Sequence, residues 1–283
     1  MQRERVTERI YVFTSSLYVQ VTATAIITSV GAVLVDTLLY PEETQQIKRF
    51  VEERLGARVK YVINSHHHAD HTTGTCFFPE AQVISHRLCR ELLDTRGRDS
   101  LERMKASSTE MEPVQLILPE LVFEDHLRLQ VGDTTLELRH SPGHSADSIT
   151  CLVENDQVMI AADTVMALPY FVDGSYDEFL SSLKQLKGNN YECIVQGHGE
   201  VILRGEIEDR LQSDIQYLEK LHHAVTKANA APPQKLQRAL ETIRIESCGK
   251  NRVLLNGAVQ QLHRQNVLAL AKHLREQSFV QTE

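Results

Sequence analysis

The run from residue 64 to residue 74 constrains this chain more than any other stretch. It reads Asn-Ser-His66-His67-His68-Ala-Asp70-His71-Thr-Thr-Gly, with four imidazoles and one carboxylate inside six residues. Surface histidines do not crowd like this for packing, because together they cost solvation and gain nothing. Histidine is the commonest metal ligand, and carboxylate joins it readily in zinc sites. His66, His68 and Asp70 stand at i, i+2 and i+4, which is wrong for one helix face and natural for a turn leaving a strand. One ion cannot easily take four ligands from so short a loop. Two ions can share it.

The flanking sequence supplies the strand. Val59–Ile63 reads as β, and the histidine run begins just past its end. Residues 10–13, 23–28 and 32–36 are earlier β-rich runs separated by turns. Pro41 opens a helix with Glu42 and Glu43 in its first turn, where the helix dipole favours acids. Ile47, Phe50, Val51 and Leu55 follow at helical spacing, and Gly56 closes it. A strand at 82–85 and a helix at 87–93 complete a β-α-β-α half. The polar residues 94–111 are expected to link this half to the next as a mobile connection.

In the second half, residues 121–123, 127–131, 135–139, 149–153, 158–162 and 193–196 read as strands. Gly132-Asp133 and Glu154-Asn155-Asp156 supply turns, and residues 176–186 read as a helix. After about residue 205 the character changes. Residues 207–228 form a long helix pattern, Pro232-Pro233 breaks it, and almost no strand signal follows. The expected organisation is an α/β catalytic domain over residues 1–205 and a helical C-terminal extension over 206–283.

Composition sets limits on partners. The 283 residues carry 30 Lys+Arg against 38 Asp+Glu, a formal net charge of −8. No long basic run appears, so no nucleic-acid or anionic-membrane partner is expected. The most apolar stretch, 23–35, is broken by Thr24, Thr28 and Ser29 and falls short of the ~18 residues of a membrane span. The charged first residues are followed by no apolar stretch, so no secretory signal is expected. Cys76, Cys89, Cys151, Cys193 and Cys248 are scattered without a CxxC pair. That pattern fits reduced thiols and a cytoplasmic location.

His66-x-His68-x-Asp70-His71 resembles the signature loop of the metallo-β-lactamase superfamily. The later parts follow in order: His144 in Ser141-Pro-Gly-His144-Ser, Asp163 in Ala161-Ala-Asp163-Thr, and His198 in Gly197-His198-Gly. The similarity spans roughly residues 8–205. It implies an α/β fold, the four-layer αβ/βα sandwich, with a dinuclear site along one edge. By the same resemblance His66, His68 and His144 hold one ion, while Asp70, His71 and His198 hold the other. Asp163 bridges both. The implied cofactors are two divalent ions, zinc first, with iron or manganese as alternatives. Two such ions sharing a hydroxide give a nucleophile at neutral pH.

Asp163 stands where true β-lactamases of this fold usually carry cysteine or serine. That resembles the glyoxalase II (hydroxyacylglutathione hydrolase), lactonase and phosphodiesterase branches. The expected activity is therefore hydrolysis of an ester, lactone or thioester, with phosphoester also open. The tRNA-processing nuclease branch shares the ligands, but the acidic balance weighs against it. An alternative of the same fold is an iron-dependent thiol or persulfide dioxygenase, whose ligands match His66, His144 and Asp163.

Asp70 and Tyr170 are the candidate catalytic residues. Lactonases acting on acyl-homoserine lactones often carry tyrosine three residues past the bridging aspartate. Here that position is Met166, and Tyr170 comes seven past. Tyr170 is read either as a substrate donor or as pocket wall. Met166, Leu168, Tyr170 and Phe171 suggest an apolar pocket rim. His67 is expected to point away from the metals, Thr72 and Thr73 to cap the next helix, and Lys250 and Arg252 to lie in a solvated loop. The expected partner is a small-molecule substrate, with a homodimer left open.

Overall fold

The structure is a computed structural model that describes residues 1–280. In the first half, strands β1 (Gln2–Arg5), β2 (Ile10–Thr14), β3 (Thr22–Thr28) and β4 (Gly31–Val35) lead into helix α1 (Pro41–Lys48) and β5 (Val59–Ile63). Helix α2 (Ala69–Thr72), β6 (Gln82–His86), α3 (Arg87–Leu92), α4 (Arg98–Ser107) and β7 (Leu121–Phe123) follow. The second half holds β8 (His126–Val131), β9 (Thr134–His140), β10 (Ile149–Val153), β11 (Val158–Ala162), α5 (Tyr176–Leu186), β12 (Cys193–Gln196) and β13 (Ile202–Leu203). Helices α6 (Ile207–Asn229), α7 (Pro233–Glu241) and α8 (Val259–Val280) complete the chain.

Strands β1 to β7 form one sheet in sequence order, and β13-β12-β11-β10-β9-β8 form the other. Both halves share a plan. Strands β1 to β4 pair antiparallel, then β4 to β7 run parallel. Likewise β8 to β11 pair antiparallel, and β12 joins β11 in parallel through the α5 crossover. Parallel neighbours end at the same edge of a sheet, so each half collects strand C-termini there.

Period-two alternation divides the core into layers. Along β4, Val33 and Val35 join Ile10, Ile26 and Ile63 in a cluster shared with Leu136, Leu138, Ile160 and Val195 of the second sheet. The alternate residues Ala32 and Leu34 pack instead with Ile47 and Val51 of the first helical layer. On β11, Val158 and Ile160 face the first sheet, while Met159 and Ala161 face Phe179, Leu183, Leu211 and Leu218 of α5 and α6. The result is helix, sheet, sheet, helix, the expected αβ/βα sandwich. The cluster under α5 continues without interruption through α6 to Leu240 of α7 and Val267 and Leu270 of α8.

Three expectations change. The polar residues 94–111 contain a helix, α4, rather than a bare connection. Its Leu101 is buried, and with Met104 three residues on it packs against Leu39, Met111 and Val114. Two apolar residues at one spacing are a weak signal in a polar stretch. Strands β1 and β13 had no β-rich pattern to announce them; β1 is a fully exposed, charged edge strand, a composition that discourages edge-to-edge association. Lys250 does not lie in a solvated loop. It is buried, with Nζ 2.5 Å from Asp214 Oδ1. Among the described residues no helix is long and apolar enough to cross a membrane.

Leu218 on α6 is fully buried in the cluster that joins the extension to the second sheet. Leu218→Ala should cost about 2–5 kcal/mol in urea unfolding, whereas Leu203→Ala, at an exposed position, should change stability by less than about 0.5 kcal/mol.

Candidate metal centre

The seven donor residues singled out by sequence come from five places on the strand edges. The loop after β5 carries His66 and His68. Helix α2 begins at Ala69, inside the motif, with His68 in extended backbone as its N-terminal flank, so Asp70 and His71 ride on α2. Thr72 and Thr73 do not cap the start of a helix, because that helix has already begun. Their hydroxyls donate back to the His68 and Ala69 carbonyls at 3.0 and 2.6 Å. His144 lies in the β9–β10 loop after Gly143, whose φ of +140° favours glycine and whose missing Cβ leaves room for the Phe179 backbone.

Asp163 follows β11 directly, and His198 follows its parallel neighbour β12. Gly197 is required here, since a Cβ would fall on Asp163 Oδ1. Four non-glycine residues around the site adopt left-handed backbone: Val19, Gln20, Asp36 and Ala162, with φ of 36°, 55°, 59° and 43°. Such conformations store strain, and the surrounding hydrogen bonds must hold them.

Each imidazole is fixed by a bond at the nitrogen that faces away from the centre. His144 Nδ1 donates to the Tyr170 carbonyl at 2.7 Å, and His198 Nδ1 to the Val19 carbonyl at 2.9 Å. His71 Nδ1 donates to Asp36 Oδ2 at 2.8 Å, and His68 Nε2 to Asp173 Oδ2 at 3.1 Å. Ser65 Oγ gives its proton to Asp36 Oδ2, which leaves it to accept from His66 Nδ1 at 3.0 Å. These partners fix which nitrogen of each ring is held outward, and each remaining ring nitrogen faces inward. Outer partners of this kind orient histidines that bind metals.

The inward atoms converge. Those of His66, His68 and His144 all lie within 4.8 Å of one another, and so do those of Asp70, His71 and His198. Asp163 stands between the groups: Oδ2 is 3.2 Å from His144 Nε2 and 3.5 Å from His198 Nε2. His66 Nε2 and His144 Nε2 approach His68 Nδ1 to 2.9 and 3.0 Å. Facing lone pairs at that distance repel unless a cation lies among them. Two buried atoms, His71 Nε2 and Asp163 Oδ1, make no hydrogen bond and lie 3.3 Å from each other. Buried orphans of this kind are rare, and a place for an ion is one of their causes. This donor set, nitrogen and oxygen only, fits divalent metal ions.

The site's electrostatics are those of buried, crowded groups. Burial works against ionisation of Asp163, but His198, His71 and His144 hold its carboxyl well below the usual range. Burial lowers His66 far below its ordinary value, and His71 and His68 add to the shift. Burial likewise brings His144 to about 4, against the pull of Asp163. Burial also disfavours charge on His71, yet Asp163, Asp36 and Asp70 raise it well above normal.

Other residues fall as follows. His67 points away, its Nδ1 3.0 Å from Asp147 Oδ1 and its Nε2 3.3 Å from Asp173 Oδ2. Burial opposes its protonation, but these carboxylates raise it to about 9. The Tyr170 hydroxyl donates to Gln265 of α8 at 2.9 Å, while its carbonyl receives His144. Met166, Leu168 and Phe171 form no pocket rim. All three are buried, and Leu168 and Phe171 join the cluster beneath α5, α6 and α8. Asp36, Asp147 and Asp173 escaped the sequence reading. Asp36 also accepts from the Ser65 backbone N–H, and Asp147 from that of His67, so both shape the metal loop itself. A lone carboxylate has no local signature; only its position after a strand end could have hinted at Asp36.

A family model described as the metallo-beta-lactamase superfamily matches residues 18–198. The chain is 30% identical over 136 residues to the mitochondrial persulfide dioxygenase ETHE1 of Bos taurus, covering 48% of this chain and 43% of that protein. It is 24% identical over 186 residues to an atrochrysone carboxyl ACP thioesterase of Aspergillus fumigatus, covering 66% of this chain and 51% of the other. The chain spans about half the length of the curated relatives it matches. In fold it is similar to a metallo-beta-lactamase family protein from Thermus thermophilus, with a TM-score of 0.70, 18% identity, and 97% and 95% of the two chains covered.

Asp163 supplies the one carboxylate that touches both donor groups. Asp163→Asn keeps the shape and removes the charge. The variant should fold, keep one ion through three histidines, and bind the second about 10–100-fold more weakly. Plasma mass spectrometry after dialysis reads the stoichiometry. Gly197→Ala should reproduce the loss by displacing the same carboxylate. Two ions held as tightly as in wild type would remove Asp163 from the centre.

Proposed function

The chain belongs to the metallo-β-lactamase superfamily, and on that premise we propose that it is a metal-dependent hydrolase cleaving an ester, lactone or thioester bond. The observation that carries this reading is the complete second donor group. Asp70, His71 and His198 converge as closely as His66, His68 and His144 do, and Asp163 reaches both. A second ion gives that second group its purpose.

In this reading His66, His68 and His144 would hold one divalent ion, Asp70, His71 and His198 would hold the other, and Asp163, which reaches both groups, would serve each. Zinc is the proposed metal, given the imidazole and carboxylate donors. Bound there, the pair supplies Lewis acidity and water acidified toward a pKa of ~7. The chain's own groups provide the rest. The anchored Nδ1 and Nε2 protons fix every ring, so no reorganisation is needed during reaction. Burial of His66, His71, His144 and Asp163 keeps bulk water from weakening the interactions these groups make. Asp70 is the most exposed of the site's donors apart from His68, and is the group we assign to accept and release protons at the solvent side. For the Tyr170 hydroxyl to meet a substrate it must leave Gln265; its carbonyl acts already, through His144.

Thioester cleavage is supported by the similarity to a protein named as a thioesterase. A second reading, a one-iron thiol or persulfide dioxygenase, is supported by the similarity to a persulfide dioxygenase and by His66, His144 and Asp163. Metal analysis separates them: about two zinc ions per chain fit the hydrolase, and one iron fits the dioxygenase.

Purified protein should turn over at least one member of a panel of lactones, thioesters and aryl esters, and chelation should abolish that activity until zinc is restored. The value of kcat/KM should rise with pH through an apparent pKa of about 6–8, the range of acidified water. A flat profile from about pH 5 to 9 with rate-limiting chemistry would count against the mechanism.

A further inference from the structure

Two side chains of the helical extension reach the loops that carry the donors, and each addresses a different group. On α6, the Arg210 guanidinium donates to the Met166 carbonyl and, at 2.9 Å, to Gln196 Oε1. Met166 is three residues past Asp163, and Gln196 is two before His198. One guanidinium nitrogen, Nη2, therefore ties together the loops bearing Asp163 and His198. Gln196 extends the tie, its Nε2 donating to the Glu200 carbonyl at 2.7 Å.

Arg210 is fixed from behind. Its Nε lies 3.2 Å from Asp214 Oδ2, and the other oxygen of this fully buried carboxylate takes Lys250 Nζ at 2.5 Å. A buried ion triad is a poor source of stability, because apolar residues of similar volume serve as well or better. It is a good source of direction, since it leaves the guanidinium a single orientation.

On α8, the fully buried Asn266 brackets Tyr170. Its Nδ2 donates to the Pro169 carbonyl at 2.7 Å, and its Oδ1 accepts from the Phe171 N–H at 3.3 Å. The carbonyl thus held, that of Tyr170, is the one that receives His144 Nδ1. Gln265 adds the bond to the Tyr170 hydroxyl on the same helix.

We infer that the C-terminal extension is part of the metal centre: Arg210 is a positioning residue for Asp163 and His198, and Asn266 is a positioning residue for His144. The inference rests on the two-ion reading above. It makes the extension more than a cover, because α6 holds His198 and the carboxylate that reaches both groups, while α8 holds His144 of the first group.

The test is a double dissociation. Arg210→Met keeps the aliphatic stem and removes the guanidinium, and Asn266→Leu keeps volume and removes the bracket. Zinc affinities of both ions are measured in the full chain by competition with a chromophoric chelator, alongside amide hydrogen exchange in metal-free protein. Arg210→Met should weaken the ion of Asp70, His71 and His198 about 10–100-fold, the scale of lost outer partners, and the ion of His66, His68 and His144 by clearly less, since that ion keeps its three histidines. Asn266→Leu should weaken the latter ion, and the double variant both. Arg210→Lys keeps the charge but has one nitrogen where Arg210 uses two, Nη2 on the loops and Nε on Asp214, and should fall between. In metal-free Arg210→Met, exchange should quicken at Gly197 and His198 and stay unchanged at Tyr170 and Phe171.

Should Asn266→Leu fail to fold, Gln265→Met loosens the same segment more gently and should weaken the same ion. Both ions bound as in wild type, or both weakened together in step with Tm, would overturn the inference. A wild-type chain that binds a single ion overturns the two-ion reading instead. The metal-free exchange pattern then decides the positioning roles by itself, and unchanged exchange at Gly197 and His198 refutes them.

Discussion

Imidazole lone pairs and carboxylates aimed at one buried spot repel each other, and much of this molecule is arranged to hold them there. His66 and His144 each bring Nε2 within 3.0 Å of His68 Nδ1. Asp163 stays charged in a place where burial alone would protonate it. No single contact can maintain that arrangement, so each ring is anchored separately. Four anchors come from distant parts of the chain, the Val19 and Tyr170 carbonyls and the Asp36 and Asp173 carboxylates, and one is local, the Ser65 hydroxyl beside His66. A cation supplies the attraction that balances the repulsion, which is why the structure reads as a metal centre.

The sandwich explains how five separate stretches meet. Parallel pairing places the ends of β4 and β5, and those of β11 and β12, side by side. Donors that follow these strands arrive at one edge without long loops. The short approach has a cost, visible in the left-handed backbone at Asp36 and Ala162, each just past or at the end of a strand. Packed sheets on both sides supply the rigidity that keeps such residues in place.

The second half and the extension share one hydrophobic cluster, and the segment after Asp163 runs through it. Residues 163–171 therefore serve two tasks. Their first residue meets the metal donors, and the following apolar side chains seal against α5, α6 and α8. Polar groups of the extension then bond the same segment's backbone, at Met166, Pro169 and Phe171. Packing and positioning are coupled here, so the geometry of the site depends on elements far from it in sequence.

By itself the sequence determined the candidate donors and most of the strands. Crowded imidazoles at residues 66–71 have no packing explanation, and runs such as Val59–Ile63 and Ile149–Val153 carry a β pattern within a few residues. These are local signals. Asp173, 105 residues from His68, and Arg210, tied to Met166 44 residues away, have no such signal. A lone carboxylate or guanidinium looks the same in sequence whether it faces water or a buried partner. The same ambiguity reversed the reading of Leu168, Phe171 and Lys250: composition tells which side chains are apolar or charged, not what covers them. Only the packing of α6 and α8 against the second sheet decided that, because burial is a property of the surfaces that meet and not of the residue.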